Sequence, residues 1–215
     1  HRLAVADFQH TDKVKETAAA MSASGTIHIL VNNTGGPAPG LIQNASADQF
    51  LSAFQQHIVN NQHLVQALLP GMKAAGYGRI INVISTSVKM PIPNLGVSNT
   101  IRAATAGWAK TLSLEVAAAG ITVNNILPGF IKTGRLESLI NSNAAVQKIS
   151  PEELAAQMEK QIPAQRFGET KEIASLAAFL ASPAASYING TSIPVPLKLR
   201  HWPPSSPARL LLIST

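Results

Sequence analysis

The segment Ile80–Arg102, I-I-N-V-I-S-T-S-V-K-M-P-I-P-N-L-G-V-S-N-T-I-R, decides the fold. Its first five residues form a short apolar, β-branched run, which predicts a buried strand that ends on Ser85. A loop with two prolines follows, and a helical pattern begins just before Ser98. Ser98 and Arg102 are four residues apart and therefore share one face of that helix. A strand-end hydroxyl facing a hydroxyl and a cation could polarise a carbonyl and hold a polar group of a cofactor.

The composition predicts one domain with a large buried share. The chain has 215 residues, of which 46% are hydrophobic and 13% charged, whereas average domains have about 25% charged residues. Such a chain suits a sheet covered by helices on both faces. Cysteine is absent, which excludes disulfides and thiolate metal sites and is compatible with a cytoplasmic protein. No run of eighteen apolar residues occurs, so no membrane span is expected.

The net charge of +6 does not by itself predict a nucleic-acid partner. Lys198, Arg200 and Arg209 near the C-terminus contribute half of it. The remaining charges are scattered and have no interleaved aromatic residues. We therefore expect no nucleic acid, no membrane and no metal as partners.

Strand and helix patterns alternate along the first part of the chain. Residues 2–6 predict a short strand that ends at Asp7. The segment Thr11–Ser24 predicts a helix with its first residue as the N-cap, and residues 27–31 predict an apolar strand. The turn cluster Asn32–Pro37, N-N-T-G-G-P, follows at the carboxyl end of that strand.

The alternation continues downstream of this turn. The predicted elements are a long helix over 46–75, the strand over 80–84, a helix over 97–119 with Gly120 as its C′ residue, a strand over 121–127, a helix capped by Ser150, a helix that ends near Leu180, and a last strand over 191–195.

The spacing of Ser85, Ser98 and Arg102 resembles that of the short-chain dehydrogenases/reductases, especially the 3-oxoacyl-carrier-protein reductase-like members. In that family a strand-end Ser is followed thirteen residues later by Tyr and four after that by Lys. Ser85 matches the Ser, whereas Ser98 stands at the Tyr position and Arg102 at the Lys position. The resemblance implies a Rossmann-like, doubly wound parallel α/β sheet. It also implies NADP or NAD as cofactor and a small carbonyl or alcohol substrate.

The resemblance also implies a set of residues that contact the cofactor. The N-N-T-G segment is similar to the family's N-N-A-G, and the segment Pro128–Thr133, P-G-F-I-K-T, is similar to the loop that receives the nicotinamide. Asp7 resembles the acidic residue beside the adenine, and Arg102 would hold the ribose. The implied cofactor contacts are Asp7, Asn33, Thr34, Gly35, Val83, Arg102, Pro128, Gly129, Ile131 and Thr133. From the residues alone, Asn32–Pro37 could equally be a plain turn, and Asp7 a surface residue.

His57 stands where the family usually has a catalytic Asn. An imidazole has a reference pKa near 6.5, so His57 could take up and release a proton at neutral pH, unlike Asn. A helix His that only hydrogen-bonds backbone or water is the alternative. The candidate catalytic set is therefore Ser85, Ser98, Arg102 and His57. Tyr77 and Tyr187 are the only tyrosines, and neither is expected near this set.

The resemblance covers about residues 3–195, which would form a partial Rossmann domain. The family begins with a strand, a glycine-rich turn and a helix that hold the pyrophosphate, and no such glycine cluster occurs here. We therefore expect the 215-residue chain to lack the first βαβ unit, to be poorly stable and to bind cofactor weakly or not at all. Residues 196–215 are expected to form an irregular, proline-rich, basic tail.

Two further expectations come from the resemblance. Residues 134–165 would form the mobile lid over the substrate, although a solvated helical insertion is an equal alternative. The helices over 46–75 and 97–119 would form the dimer contact common in the family, which favours a homodimer or homotetramer.

Two functional classes remain open at this stage. The first is a nicotinamide-dependent oxidoreductase with altered or weakened chemistry, because an aliphatic hydroxyl at Ser98 is a much weaker acid than a phenol. The second is a non-catalytic homologue that binds a nucleotide or a protein partner.

Overall fold

The computed structural model describes residues 3–195. Its centre is a four-stranded, wholly parallel sheet in the order β1-β2-β3-β4. The strands are β1 (Ile29–Asn32), β2 (Gly78–Val83), β3 (Ile121–Pro128) and β4 (Ser192–Val195). Parallel neighbours need crossover connections, and each crossover here contains at least one helix. The predicted parallel α/β architecture is confirmed.

Seven α-helices accompany the strands among the described residues. They are α1 (Thr11–Ala23), α2 (Ala47–Phe54), α3 (Asn60–Ala75), α4 (Gly96–Val116), α5 (Gly134–Gln147), α6 (Pro151–Lys160) and α7 (Thr170–Ala181). A π-helical turn, Gln55–Val59, joins α2 to α3 without a break. The predicted long helix over 46–75 is therefore observed, with one irregular turn in its middle.

The helices cover both faces of the sheet. On one face α3 and α4 pack on Leu30, Ile80 and Val123, and on the other α7 packs on Ile81 and Ile126. Neighbouring strand residues point to opposite faces, so the continuous apolar run of β2 supplies both cores. A third cluster joins α5 and α6 to each other, with Leu136, Ile140, Leu154 and Phe167 among its members.

A row of asparagines crosses the sheet on the face of α3 and α4. Asn32 Nδ2 donates to Asn82 Oδ1 at 2.8 Å, and Asn82 Nδ2 donates to Asn125 Oδ1 at 2.9 Å. Asn125 Nδ2 in turn donates to Ser192 Oγ at 3.1 Å. The four residues are direct partners in the strand register, so each strand contributes one member. We call Asn32, Asn82, Asn125 and Ser192 the asparagine ladder.

Two local predictions are wrong. Residues 3–7 form no strand, and Leu3 and Val5 are exposed, because no described strand lies beside them to accept their backbone hydrogen bonds. Thr11 is the first residue of α1 rather than its cap, since His10 occupies the cap position without a side-chain hydrogen bond.

Other local predictions are confirmed. Ser150 caps α6 by accepting from Glu153 N, with Pro151 in the first turn. Gly120 has the left-handed conformation, with φ of 72°, after the turn that ends the α4 segment. The predicted tail, residues 196–215, lies outside the described residues.

Candidate active site at the carboxyl ends of the strands

The loops that follow β1, β2 and β3 meet at the carboxyl edge of the sheet, where parallel α/β folds bind ligands. The start of α4 is fixed to the loop after β1 by two backbone hydrogen bonds, from Gly40 N to Asn94 O at 2.8 Å and from Gly96 N to Gly40 O at 3.0 Å. A Cβ on Gly96 would lie 2.6 Å from Ile42 Cα, so only glycine permits this approach. These contacts set the position of Ser98 and Arg102, which follow Gly96 by two and six residues on the same helix.

Arg102 lies buried between two strand ends. Its Nη1 donates to Val83 O at 2.9 Å and its Nη2 donates to Thr34 O at 3.2 Å, and the residue is 9% exposed. Burial, and then the positive charge of Arg135, lower the pKa of Arg102 to about 10. Arg102 is still a cation at neutral pH. The predicted position of this helix face beside the end of β2 is therefore observed, and the contact with Thr34 after β1 is an addition to it.

His57 lies in the π-helical turn and is 3% exposed. Its ring is hydrogen-bonded to the backbone of Gly35, and its Nε2 is buried without a hydrogen-bond partner. Burial, and then the charge of Arg102, lower the pKa of His57 to about 4. The imidazole is therefore neutral at pH 7. The expectation that it exchanges a proton near its reference pKa is wrong, because that value applies to a solvated ring.

The hydroxyls of Ser85 and Ser98 are available at this edge. Ser85 follows β2, and its Oγ accepts a hydrogen bond from Ser87 N at 3.0 Å, which leaves its own proton free to donate. Ser98 lies one turn before Arg102 on the buried side of α4. Ser87 Oγ is buried and has no partner within the described chain. Tyr77 is not near this edge, because its Oη donates to Ala181 O at 2.7 Å.

Arg135 is a site residue that the sequence interpretation missed. It lies in the first turn of α5, and its Nη1 and Nη2 donate to Gly36 O at 3.0 Å and Pro37 O at 3.3 Å. Its charge acts on both His57 and Arg102, which places the three side chains in one cluster. The sequence contained a signal for this role. Arg135 directly follows the helix-capping pair Thr133-Gly134, and a cation in the first turn of a helix opposes the helix dipole, which favours acids there.

The segment after β3 is well anchored. Pro128 is the last residue of β3, and Gly129 N donates to Val195 O at 2.7 Å. Ile131 forms a parallel bridge with Gly168, through Lys132 N to Gly168 O at 2.9 Å. Thr133 caps α5, because its Oγ1 accepts from Leu136 N at 3.4 Å.

A cavity of about 280 Å³ lies beyond the end of β1. It is lined by Asp7, Phe8, Gln9, Asn33, Thr34, Gly35 and Gln56. Asp7 Oδ1 accepts from Gln9 N at 2.9 Å in an exposed turn, so Asp7 reaches this cavity without being part of a strand. The cavity brings the predicted residues Asp7 and Asn33–Gly35 together.

A second cavity, of about 160 Å³, borders the next part of the same loop. It is lined by Ala38, Gly40, Leu41, Asn44, Ala45, Gln49 and Val97, the last of which precedes Ser98. The residues before Gly36 and those after Pro37 therefore line two different cavities.

This edge of the sheet fits a dinucleotide in part. Ribose hydroxyls and a nicotinamide can bind at three places: in the cavity beside Asp7, at the unpartnered His57 Nε2 and at the cation of Arg102. A glycine-rich phosphate turn does not occur within residues 3–195. The described residues therefore fit the two ends of a dinucleotide better than its pyrophosphate.

A family model described as Enoyl-(Acyl carrier protein) reductase matches residues 1–196. The chain belongs to the short-chain dehydrogenase/reductase family. Within this family it is similar to the NADPH-dependent reductase BacG of Bacillus subtilis (strain 168), with 34% identity over 172 residues, covering 80% of this chain and 66% of the relative. It is also similar to the 3-oxoacyl-[acyl-carrier-protein] reductase FabG of Haemophilus influenzae, with 38% identity over 173 residues and the same coverage.

A solved structure supports the same assignment. The crystal structure of YwfH, described as an NADPH dependent reductase involved in bacilysin biosynthesis, superposes with a TM-score of 0.83 at 30% identity. The match covers 88% of this chain and 73% of that structure. The present dehydrogenase/reductase chain spans 66% of the length of the two curated relatives named above.

No helix within residues 3–195 is both long enough and apolar enough to cross a membrane. No group of three or more metal-ligating His, Cys, Asp or Glu side chains occurs in the same range.

Proposed function

We propose that this protein is an NAD(P)-dependent oxidoreductase that interconverts a carbonyl and a hydroxyl group on a small molecule, with altered or weakened chemistry compared with its 3-oxoacyl reductase relatives. One observation carries this proposal. Arg102, a buried cation, and His57, a buried imidazole with a free Nε2, converge where β1 and β2 end. Leaving such groups buried and incompletely paired costs stability, which a ligand would offset.

The relatives support the choice of reaction. Two of the compared proteins are described as NADPH-dependent reductases and another as a 3-oxoacyl reductase. Residues around the larger cavity, Asn33–Gly35 and Asp7, would hold the adenosine side of NADP or NAD. Arg102 and the backbone after Pro128 would hold the nicotinamide side. When bound, the cofactor supplies a hydride to the carbonyl carbon, and the carbonyl oxygen takes up one proton.

The side chains of the site have separable roles in this proposal. The Ser85 and Ser98 hydroxyls donate hydrogen bonds to the substrate oxygen, and Arg102 stabilises the negative charge that develops there. Neutral His57 does not donate the proton, since its Nε2 is an acceptor; it accepts a hydrogen bond from a substrate or ribose hydroxyl. The proton comes from water through the serine hydroxyls. A slow reaction is expected, because no phenol is available to deliver it.

The test is a fluorescence titration of NADPH and NADH. It uses the 215-residue chain and a form extended at its N-terminus by the strand, glycine turn and helix with which the family begins. Micromolar binding to the extended form, followed by turnover in a screen of carbonyl substrates, supports the proposal. If neither form binds either dinucleotide, the oxidoreductase proposal fails and a partner-binding homologue takes its place.

A matched pair of variants assigns the binding to this site. Arg102→Leu removes the buried cation, and we expect it to weaken NADPH binding about tenfold or more, because a charged hydrogen bond contributes about 1.5–3 kcal/mol. Lys110→Leu removes an exposed cation from the same helix, whose Nζ donates to Gly190 O. Equal losses in the two variants would contradict the assigned role of Arg102.

We also propose that the protein forms a homodimer or homotetramer. The support is an exposed leucine on each of the two predicted contact helices, Leu51 of α2 at 61% exposed and Leu114 of α4 at 72% exposed. Light scattering after size-exclusion chromatography gives the mass directly. A Leu114→Glu variant should be monomeric, whereas a monomeric parent would contradict the proposal.

A further inference from the structure

Arg135 lies flat over the loop between the two cavities. A Cβ built on Gly36 would lie 2.6 Å from Arg135 Nη2 and 3.0 Å from its Cζ. Glycine at this position therefore leaves the space that the guanidinium occupies. With two donors bound to the carbonyls of Gly36 and Pro37, three of the five guanidinium N–H groups remain for another acceptor.

The positive charge of this cluster is not neutralised by the chain. The four ion pairs found among residues 3–195 are Asp7 with His10, Lys13 with Glu16, Lys132 with Glu169, and Arg166 with Glu172. None includes Arg102 or Arg135, whose hydrogen-bond partners in that range are neutral carbonyls. Two cations that bind one short loop and repel each other favour a negatively charged ligand.

The surroundings add to this preference. Arg135 occupies the first turn of a 14-residue helix, where the dipole already favours an anion. His57 Nε2 of the same cluster is buried without a partner, and because it is an acceptor it calls for a donor such as a hydroxyl rather than for the anion. Gly36 and Pro37 lie after the residues that line the larger cavity and just before Ala38, which lines the smaller one. Arg135 therefore binds the part of the loop that joins the linings of the two cavities.

We propose that Arg135 binds a carboxylate of the substrate, so that the enzyme selects oxo acids or hydroxy acids over neutral carbonyl compounds. This inference rests on the proposed oxidoreductase function and adds a substrate class to it. The guanidinium would pair with the carboxylate in the two-point geometry that arginine favours, while the carbonyl to be reduced lies near Ser85 and Ser98.

The experiment compares a 3-oxo acid with its methyl ester, which has the same ketone and no charge. It uses the form of the protein that binds NADPH in the titration above. We expect kcat/KM for the acid to exceed that for the ester by about tenfold or more. Arg135→Gln should lower kcat/KM for the acid by about the same factor, while the ester and the NADPH affinity change less than twofold. Arg135→Lys should recover part of the loss.

Two further variants keep the test decisive. Lys160→Gln makes the same change of charge on exposed α6 and should behave as the parent. Gly36→Ala keeps Arg135 but displaces its guanidinium, and should reduce the preference for the acid as Arg135→Gln does. Thermal unfolding is recorded for each variant to show whether it is folded. If Arg135→Gln loses activity because it misfolds, Gly36→Ala and Arg135→Lys, when folded, still test the role of the guanidinium.

Three results would overturn the inference. Equal use of acid and ester by the parent would show that no carboxylate is selected. A loss of NADPH affinity in Arg135→Gln that equals the loss for the acid would show that the anion is a cofactor phosphate. Absence of dinucleotide binding in both the 215-residue chain and the extended form would remove the proposed function and this inference with it, and only that result affects both.

Discussion

The asparagine ladder and the candidate active site are close in the chain, since Asn82 and Ser85 are three residues apart. They differ in how their buried polar groups are hydrogen-bonded. Along the ladder, each amide that donates finds an acceptor on the next strand, as far as Ser192. At the site, His57 Nε2 and Ser87 Oγ have no partner in the described structure. The same holds for Asn32 Oδ1 at the outer end of the ladder and for three atoms of α3, Asn60 Oδ1, Asn61 Oδ1 and His63 Nδ1. Both regions are buried, so solvent does not account for the difference.

The comparison shows how to tell structural polar groups from those left for a ligand. A buried hydrogen bond that is satisfied contributes about 1 kcal/mol, whereas a buried group without a partner costs about 1–3 kcal/mol. A fold keeps the second kind only where something offsets that cost. With three side-chain hydrogen bonds and one unpaired end, at Asn32 Oδ1, the ladder is mainly a structural feature. His57 and Ser87 have no such network at the site, and each of the following predictions tests this difference.

The largest effect is expected at the centre of the ladder. Asn82→Ala removes the residue that accepts from Asn32 and donates to Asn125, and leaves Asn32 Nδ2 and Asn125 Oδ1 without a partner at a position that is 1% exposed. We expect the free energy of unfolding to fall by about 3 kcal/mol. The control is Asn141→Ala on an exposed part of α5, which should change it by less than about 0.5 kcal/mol. Urea unfolding curves measure both, and equal values would remove the structural role of the ladder.

The next effect is a pH dependence that comes from His57. Its pKa is near 6.5 in the unfolded chain and about 4 in the folded protein, because burial and Arg102 disfavour the charged ring. Between these values the unfolded chain binds more protons, so stability falls as the pH falls from 6.5 towards 4 and is fully retained above 6.5. This contribution should be about 2 kcal/mol between pH 7 and pH 5.

His57→Asn isolates that contribution, because an amide does not titrate. The difference between parent and variant in free energy of unfolding is measured at pH 5, 6 and 7. A difference that does not change over this range would contradict the buried, neutral state of His57.

The smallest effect compares two buried serines. Ser113 Oγ donates to Lys110 O at 2.7 Å, whereas Ser87 Oγ has no partner in residues 3–195. Ser113→Ala should lower the free energy of unfolding by about 1 kcal/mol, and Ser87→Ala should leave it unchanged or slightly higher. Chemical denaturation resolves this difference when both variants are measured in parallel. A larger loss of unfolding free energy for Ser87→Ala than for Ser113→Ala would show that the Ser87 hydroxyl stabilises the fold.

The sequence predicted most strands and helices because their patterns are strong. β2, β3 and α4 differ from the predicted bounds by three residues or fewer. The strand over residues 2–6 was wrong because alternating Leu and Val indicate only a preference, and a strand exists only beside a partner. The grouping of Arg102 with the end of β2 followed from the spacing, whereas its contact with Thr34 after β1 did not. That part of the site is encoded locally.

The rest of the site depends on contacts that are distant in sequence. Arg135 reaches Gly36, almost a hundred residues away, from a polar segment with no motif. The low pKa of His57 depends on its burial and on Arg102, which helix periodicity does not reveal. The ladder could have been suspected from three asparagines near strand ends, but only the register shows that they are opposite one another.

The π-helical turn that contains His57 changes which residues face the core along the helix from Ala47 to Ala75. A π turn accommodates one extra residue, and one residue corresponds to a rotation of about 100°. The two halves therefore present different stripes: Ala53 packs on Val97 and Ile101 of α4, whereas Val65 and Leu68 pack into the core beside the sheet. Consider a relative whose helix lacks the extra residue. An alignment with it that has no gap within Gln55–Val59 pairs residues that do not correspond in space, either before or after this turn. Loss of a single residue here would straighten the helix and rotate one half of it relative to the other.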